Sequence, residues 1–188
     1  GDREDRTHDR TDGLVADLAG LRSFTIMGWL KPEDLTVGSG GNRILFCLQQ
    51  SKAGIDLVHL ADGRLRLSVN EWPDRVKNDS SPGRLVRGKW TYFAVTYDAT
   101  AKRNNVAWYF SEPAGQPRSE AALRLDRKTT YNVGAVANRI GPLAVGNFNR
   151  TMRSYGWDRQ FRGVVRELRV FGSRISGAGV LDQKDMKP

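Results

Sequence analysis

The 188-residue sequence is poor in the side chains that build most catalytic and metal centres, with one Cys and two His. Cys47 alone cannot close an intramolecular disulfide or assemble a Cys-rich zinc site, and its setting in Ile44-Leu45-Phe46-Cys47-Leu48 marks it as a buried strand residue. His8 lies in a charged stretch, while His59 beside Leu60 reads as a structural histidine on a partly buried strand. Gly-rich phosphate loops, zinc spacings and a Ser-His-Asp arrangement are missing as well. No apolar run reaches the roughly 18 residues of a membrane span, which argues against membrane insertion, and Gly1 to Arg6 lacks the apolar core of a signal peptide. The first residue is not Met, so the chain reads as a processed product or an excised domain, with any export signal outside it.

Positive charge is abundant: 30 Lys+Arg face 21 Asp+Glu, for a net charge of +9. Of these cations 22 are Arg and 8 are Lys, and Arg is the better bidentate partner of carboxylate, sulfate or phosphate. Between Arg139 and Arg174 eight Arg stand against only Asp158 and Glu167. Nucleic acid, an acidic membrane surface and an anionic polysaccharide are all compatible with such a balance, and so is a GC-rich genome that favours Arg codons without any ligand.

Residues 1–13 read as a charged tail or linker and residues 14–188 as one domain. From Arg22 the dominant period is two. Phe24, Ile26, Gly28 and Leu30 share one face, and Thr25, Met27 and Trp29 the other, before Pro32 ends the run. Ile55–Leu60 and Arg64–Asn70 flank Ala61-Asp62-Gly63, a hairpin signal, because Gly tolerates the positive φ that such turns need. In the second strand Leu65, Leu67 and Val69 face one way, and Arg64, Arg66, Ser68 and Asn70 the other. Trp90–Asp98 and Val106–Phe110 form a second hairpin. Residues 111–142, rich in Pro and Gly, read as an elaborated loop around one strand at Ala121–Leu125, and Leu143–Asn147 and Gly163–Phe171 close the chain, with a short turn after Ser176. The class is all-β, most economically two packed antiparallel sheets.

Five strings in order, Ser23–Pro32, Asp62–Leu65, Trp90–Asp98, Leu143–Asn147 and Phe161–Phe171, resemble the laminin-G-like, concanavalin A-like lectin/glucanase domains over residues 14–182. The resemblance implies a two-sheet antiparallel jelly-roll sandwich, usually extracellular, cell-surface or periplasmic, attached as a monomeric unit to other domains. The fold hosts lectins, carbohydrate-binding modules, adhesion domains, glycosidases and lyases, so it leaves function open. Many relatives carry Asp-Glu in the last strand where this chain has Arg166-Glu167, which counts against the family's calcium site. No cofactor is required, although Asp12, Asp17, Asp98, Asp158 or Glu167 could supply oxygens to a structural calcium ion.

Glycosidases of this kind need two facing carboxylates, carried in laminarinase-type relatives as Glu-x-Asp-x-x-Glu, and the chain has no such string. Glu71 and Asp74 share a loop broken by Pro73, and the Gln-x-His string of alginate-lyase-type relatives is missing. The sequence therefore favours a non-catalytic carbohydrate-binding, lectin-like domain over an enzyme, with an acidic or sulfated polysaccharide as partner rather than nucleic acid. A protein-binding adhesion domain is the alternative, and a polysaccharide lyase with a divergent site a third.

Sugar recognition combines aromatic platforms with planar hydrogen-bonding side chains. The residues expected to supply them are Arg64, Arg66 and Asn70 on the first hairpin, Tyr109 on the second strand of the second hairpin, Trp72 and Arg75 in the 71–89 loop, and Arg153, Tyr155 and Trp157 in the 150–159 loop. With Val106, Trp108 and Phe110 in the core, Tyr109 is expected outward beside Arg64 and Arg66 on one basic face. Packing remains an alternative for Trp72 and Trp157, which could cap an open end of the sandwich, and a solvated face for Arg64 and Arg66.

Overall fold

Alternating apolar strands produce two antiparallel sheets packed face to face. The computed structural model describes residues 17–38, 40–49, 52–71, 77–149 and 159–188. Among these residues nine strands run in order: β1 (Ser23–Pro32), β2 (Asn42–Phe46), β3 (Ile55–His59), β4 (Leu65–Val69), β5 (Thr91–Asp98), β6 (Val106–Phe110), β7 (Arg124–Thr129), β8 (Ala144–Val145) and β9 (Gly163–Ser173). One sheet has the order β7-β6-β5-β1-β9 and the other β4-β3-β2-β8. The alternating periodicity predicts two packed antiparallel sheets, and the arrangement is consistent with the all-β jelly-roll sandwich that the resemblance implies. No helix among the described residues is long and apolar enough to cross a membrane.

The main core lies between the sheets. Phe24, Ile26 and Leu30 from β1, Phe93, Val95 and Tyr97 from β5 and Val106, Trp108 and Phe110 from β6 meet Ile55 and Leu57 from β3 and Leu65, Leu67 and Val69 from β4. Asp62-Gly63 turns β3 into β4 as expected, with Gly63 at φ 75° and its N–H donating to Leu60 O at 2.9 Å. Cys47 is buried in this core, and burial pushes its thiol up to about 12, well away from reactive thiolate chemistry.

A second apolar cluster covers the other face of the five-stranded sheet, where Met27, Trp29, Tyr92 and Ala94 pack with Trp90, Leu123 and Met186. The segment after β9 crosses this face. Ser23 Oγ accepts from Gly179 N at 2.8 Å, Thr25 Oγ1 donates to Gly179 O at 2.8 Å, and Tyr92 Oη donates to Lys187 O at 2.8 Å. Both faces of β1 are therefore covered, which explains why its burial is nearly continuous although its composition alternates.

One expected strand is displaced. Ala121–Leu125 was the apolar choice, but the strand is Arg124–Thr129, because Leu123 is drawn into the second cluster. β7 sits at the sheet edge, where exposed charged side chains hide the period of two.

Candidate functional site

β3 carries a carboxylate in an otherwise apolar run, and that residue organises the outward face of the four-stranded sheet. Asp56 stands opposite Phe46 of β2 on one side and Ser68 of β4 on the other. In the neighbouring row Arg43, Val58 and Arg66 lie side by side, and Arg66 bridges to Asp79. Arg43 reaches the outward face because the β2–β3 register shifts between Arg43 and Leu45.

Arg43 and Asp56 are each about 1% exposed. Arg43 Nη2 donates to Asp56 Oδ2 at 3.1 Å and Nη1 to Gly41 O at 2.8 Å, and the guanidinium lies 4.3 Å from the centre of the Phe148 ring. Phe148 meets Phe46 edge to face at 4.8 Å. Burial pushes the Asp56 carboxyl up, while Arg43 pulls it down. Asp56 Oδ1 has no hydrogen-bond partner, an unused acceptor beneath this face.

Toward solvent the same face ends in a cluster of two Arg and two Asp. Arg66 holds Asp79 with a fork, Nε to Oδ1 at 2.6 Å and Nη2 to Oδ2 at 2.9 Å. Arg64 Nη1 reaches Asp79 Oδ2 at 3.3 Å, and its Nε donates to Asp62 Oδ2 at 2.7 Å. Arg64 holds the Asp62 carboxyl below the usual carboxylate range, and Asp62 raises the Arg64 pKa. The side chains of Arg64 and Arg66 remain 31% and 23% exposed, so water or a ligand can reach both guanidiniums.

The structure thus confirms the outward direction of Arg64 and Arg66 but changes their electrostatics, since two carboxylates offset the two cations. Asn70 plays a scaffold role: its Oδ1 accepts from Ala137 N at 3.0 Å and its Nδ2 donates to Ala135 O at 2.8 Å, tying the 131–137 stretch to the end of β4. Tyr109 is separated from the hairpin. Its strand belongs to the five-stranded sheet, so a single face bearing Tyr109, Arg64 and Arg66 does not form. Tyr109 is half-buried against the second cluster, and burial raises its phenol pKa. Trp72, Arg75, Arg153, Tyr155 and Trp157 lie outside the described residues.

The described residues bordering those loops can be placed. Asn149 Nδ2 donates to Leu48 O at 3.0 Å, and Arg43 N donates to Arg159 O at 2.8 Å, so both borders of 150–158 are bonded to β2 or the residues just after it. Glu71 lies two residues beyond the end of β4, and on the far side of 72–76 Asn78 O accepts from Leu67 N at 3.1 Å.

His59 is enclosed, with its ring 5.7 Å from that of Phe161. Neither ring nitrogen has a hydrogen-bond partner, and burial lowers its pKa to about 4. Among the described residues no three His, Cys, Asp or Glu side chains converge as a metal site. Glu167, one of the oxygens considered for calcium, instead contacts Arg166 at 3.0 Å and Arg169 at 3.4 Å. Asp12 and Asp158 lie outside the described residues.

Sequence reasoning missed Arg43, Asp56 and Asp79. The available signal was Asp56 itself, a carboxylate inside Ile55–Leu60, where only a paired charge is tolerated.

No protein-family model matches the sequence, and no curated protein is similar to it by sequence. Solved structures share the fold. The carbohydrate-binding module CBM40 of the Ruminococcus gnavus IT-sialidase aligns with a TM-score of 0.59 at 12% identity, over 88% of this chain and 91% of that one. The NanB sialidase of Streptococcus pneumoniae aligns at 0.64 and 12% identity, over 97% of this chain but 26% of its own length. A SAP-like pentraxin of Limulus polyphemus aligns at 0.52 and 17% identity, covering 80% of this chain and 64% of the pentraxin. The chain thus spans about a quarter of that sialidase and about two thirds of that pentraxin.

Proposed function

We propose that this chain is a non-catalytic, laminin-G-like carbohydrate-binding domain of an exported protein, and that its ligand is an acidic or sulfated polysaccharide. The observation that carries this reading is the Arg64–Asp62–Arg66–Asp79 cluster, with Asp79 buried and the other three side chains partly exposed, at the open margin of a buried polar face. Carboxylates and guanidiniums held together offer acceptors and planar donor forks side by side, which is the set needed to read vicinal hydroxyls. An acidic substituent on the same sugar is a further acceptor for Arg64 or Arg66. Trp72, Arg75, Arg153, Tyr155 and Trp157, outside the described residues, are assigned stacking and charge contacts from their residue types alone.

Likeness to CBM40 modules supports the reading, because in one of those structures the module is bound to α2,3-sialyllactose, an acidic glycan. An array of neutral and acidic polysaccharides tests it. Selective retention on acidic polymers, weakened at least about tenfold by Arg66→Ala, is expected, because loss of that fork also leaves Asp79 short of a partner. Absence of retention on every glycan overturns it.

A further inference from the structure

The cations expected to read acidic groups on the hairpin are paired with aspartates, whereas a different set has no such partners. Lys102, Arg103, Arg127 and Lys128 are exposed and form no ion pair among the described residues. Some other surface arginines are matched with acids, as in Arg162–Asp34 at 3.2 Å and Arg166–Glu167 at 3.0 Å, while Arg22, Arg118 and Arg139 are exposed singly, outside any such cluster, and also form no ion pair among the described residues.

The fold brings these four together. Lys128 stands opposite Ala107 and Arg127 opposite Trp108, so they project from the two faces of β7 at the open edge of the five-stranded sheet. Lys102 and Arg103 lie in the β5–β6 turn, which is pinned to the end of β7. Asn104 N donates to Thr130 Oγ1 at 3.0 Å, Tyr131 N donates to Asn105 Oδ1 at 2.7 Å, and Asn105 Nδ2 donates to Tyr131 O at 2.8 Å. The carboxylate within β7, Asp126, is already engaged by Arg84 at 2.5 Å and by Ser81 N at 2.7 Å. Arg124, at the other end of the strand, meets Glu112 only at 3.8 Å, with both side chains largely exposed.

Edge strands often carry charge that discourages pairing with another chain, but either sign serves that purpose. Cations without acid partners on a fixed scaffold do more, because Arg127 and Lys128 are adjacent on the strand and add their fields within a Debye length, roughly 10 Å, while Asp126 beside them is already bound by Arg84.

We propose that this edge, formed by Lys102, Arg103, Arg124, Arg127 and Lys128, binds the successive anionic groups of a linear acidic polysaccharide. The proposal rests on the glycan-binding reading and moves the charge-reading element from the hairpin to the opposite sheet. Single-stranded nucleic acid fits less well, because its binding needs aromatic stacking platforms, and the described residues of this edge expose none.

The test compares binding of the wild-type chain and the variant Lys102→Gln/Arg103→Gln/Arg127→Gln/Lys128→Gln to heparin and to polygalacturonate over a salt series, with double-stranded DNA as competitor. All four positions are exposed, so an unchanged thermal midpoint is expected, and a second variant, Arg103→Lys/Arg127→Lys, should retain binding. The slope of log K against log salt should fall by about one for each contacting cation removed, with at least about a tenfold loss of affinity near physiological salt. Arg166→Gln, on the opposite edge strand of the same sheet, should leave the slope almost unchanged. An unchanged slope in the four-site variant overturns the proposal, and so does DNA that displaces both polysaccharides at lower concentration. Wild-type chain that binds no polysaccharide overturns the glycan-binding reading itself. Wild-type binding lost with Arg66→Ala but indifferent to the edge variant overturns only the edge.

Discussion

At the scale of single residues, the buried Arg43–Asp56 pair and the enclosed His59 set how the small sheet responds to substitution and pH. Removing the Asp56 carboxylate leaves a guanidinium, 1% exposed, without its acidic partner, so Asp56→Ala is expected to cost about 3–5 kcal/mol in urea unfolding. Replacing both charges by Arg43→Met/Asp56→Leu should cost less than that single change. A loss below about 1 kcal/mol for Asp56→Ala contradicts the pairing. His59 titrates at about 4 in the folded chain against an ordinary value of 6.5, so the fold favours its neutral form. That contribution, about 3 kcal/mol, is complete above pH 6.5 and drains away as pH falls toward 4. Denaturation series at pH 7 and pH 4.5 should show His59→Phe losing less stability between them than wild type; equal losses contradict the assignment. Residues such as these were only partly legible in the sequence. The apolar neighbour Leu60 pointed to burial of His59 but not to its full enclosure without a ring-nitrogen partner, whereas Arg43 borders an apolar run and shows its buried partner only once strands β2 and β3 are paired.

At the scale of elements, strands whose two faces differ were legible and strands covered by distant chain were not. The Asp62-Gly63 hairpin and the β5–β6 hairpin could be read because local turn chemistry and alternation agree in them. The placement of β7 and the packing of the terminal segment depend on contacts far apart in sequence, such as Gln183 Nε2 donating to Leu123 O at 2.6 Å. Tyr109 was misplaced for the same reason, since alternation fixes the side on which a residue projects but not the sheet to which its strand belongs. The terminal segment hangs on Thr25, whose buried hydroxyl donates to Gly179 O and accepts from Leu181 N at 3.0 Å. Thr25→Val should cost about 1–3 kcal/mol and raise hydrogen exchange at residues 179–187 before the rest of the chain. Protection unchanged in that segment contradicts its anchoring role.

At the scale of the whole molecule, the net charge of +9 is unevenly matched by its acids. Around the hairpin two arginines and two aspartates offset one another, whereas Arg127 and Lys128 of β7 form no ion pair among the described residues. Total charge and Arg content were visible in the sequence, but this partition was not, because Asp79 reaches Arg66 across an isolated bridge and Lys102 reaches the β7 edge through a turn. On the proposed reading the hairpin contributes hydroxyl recognition and the β7 edge most of the charge recognition. The most direct check of this account is calorimetric titration of the wild-type chain with polygalacturonate and with its carboxyl-reduced, neutral counterpart at low and physiological salt. Binding to both, tighter for the acidic polymer by a margin that shrinks as salt rises, is the predicted result. Heat from neither polymer at either salt concentration contradicts it.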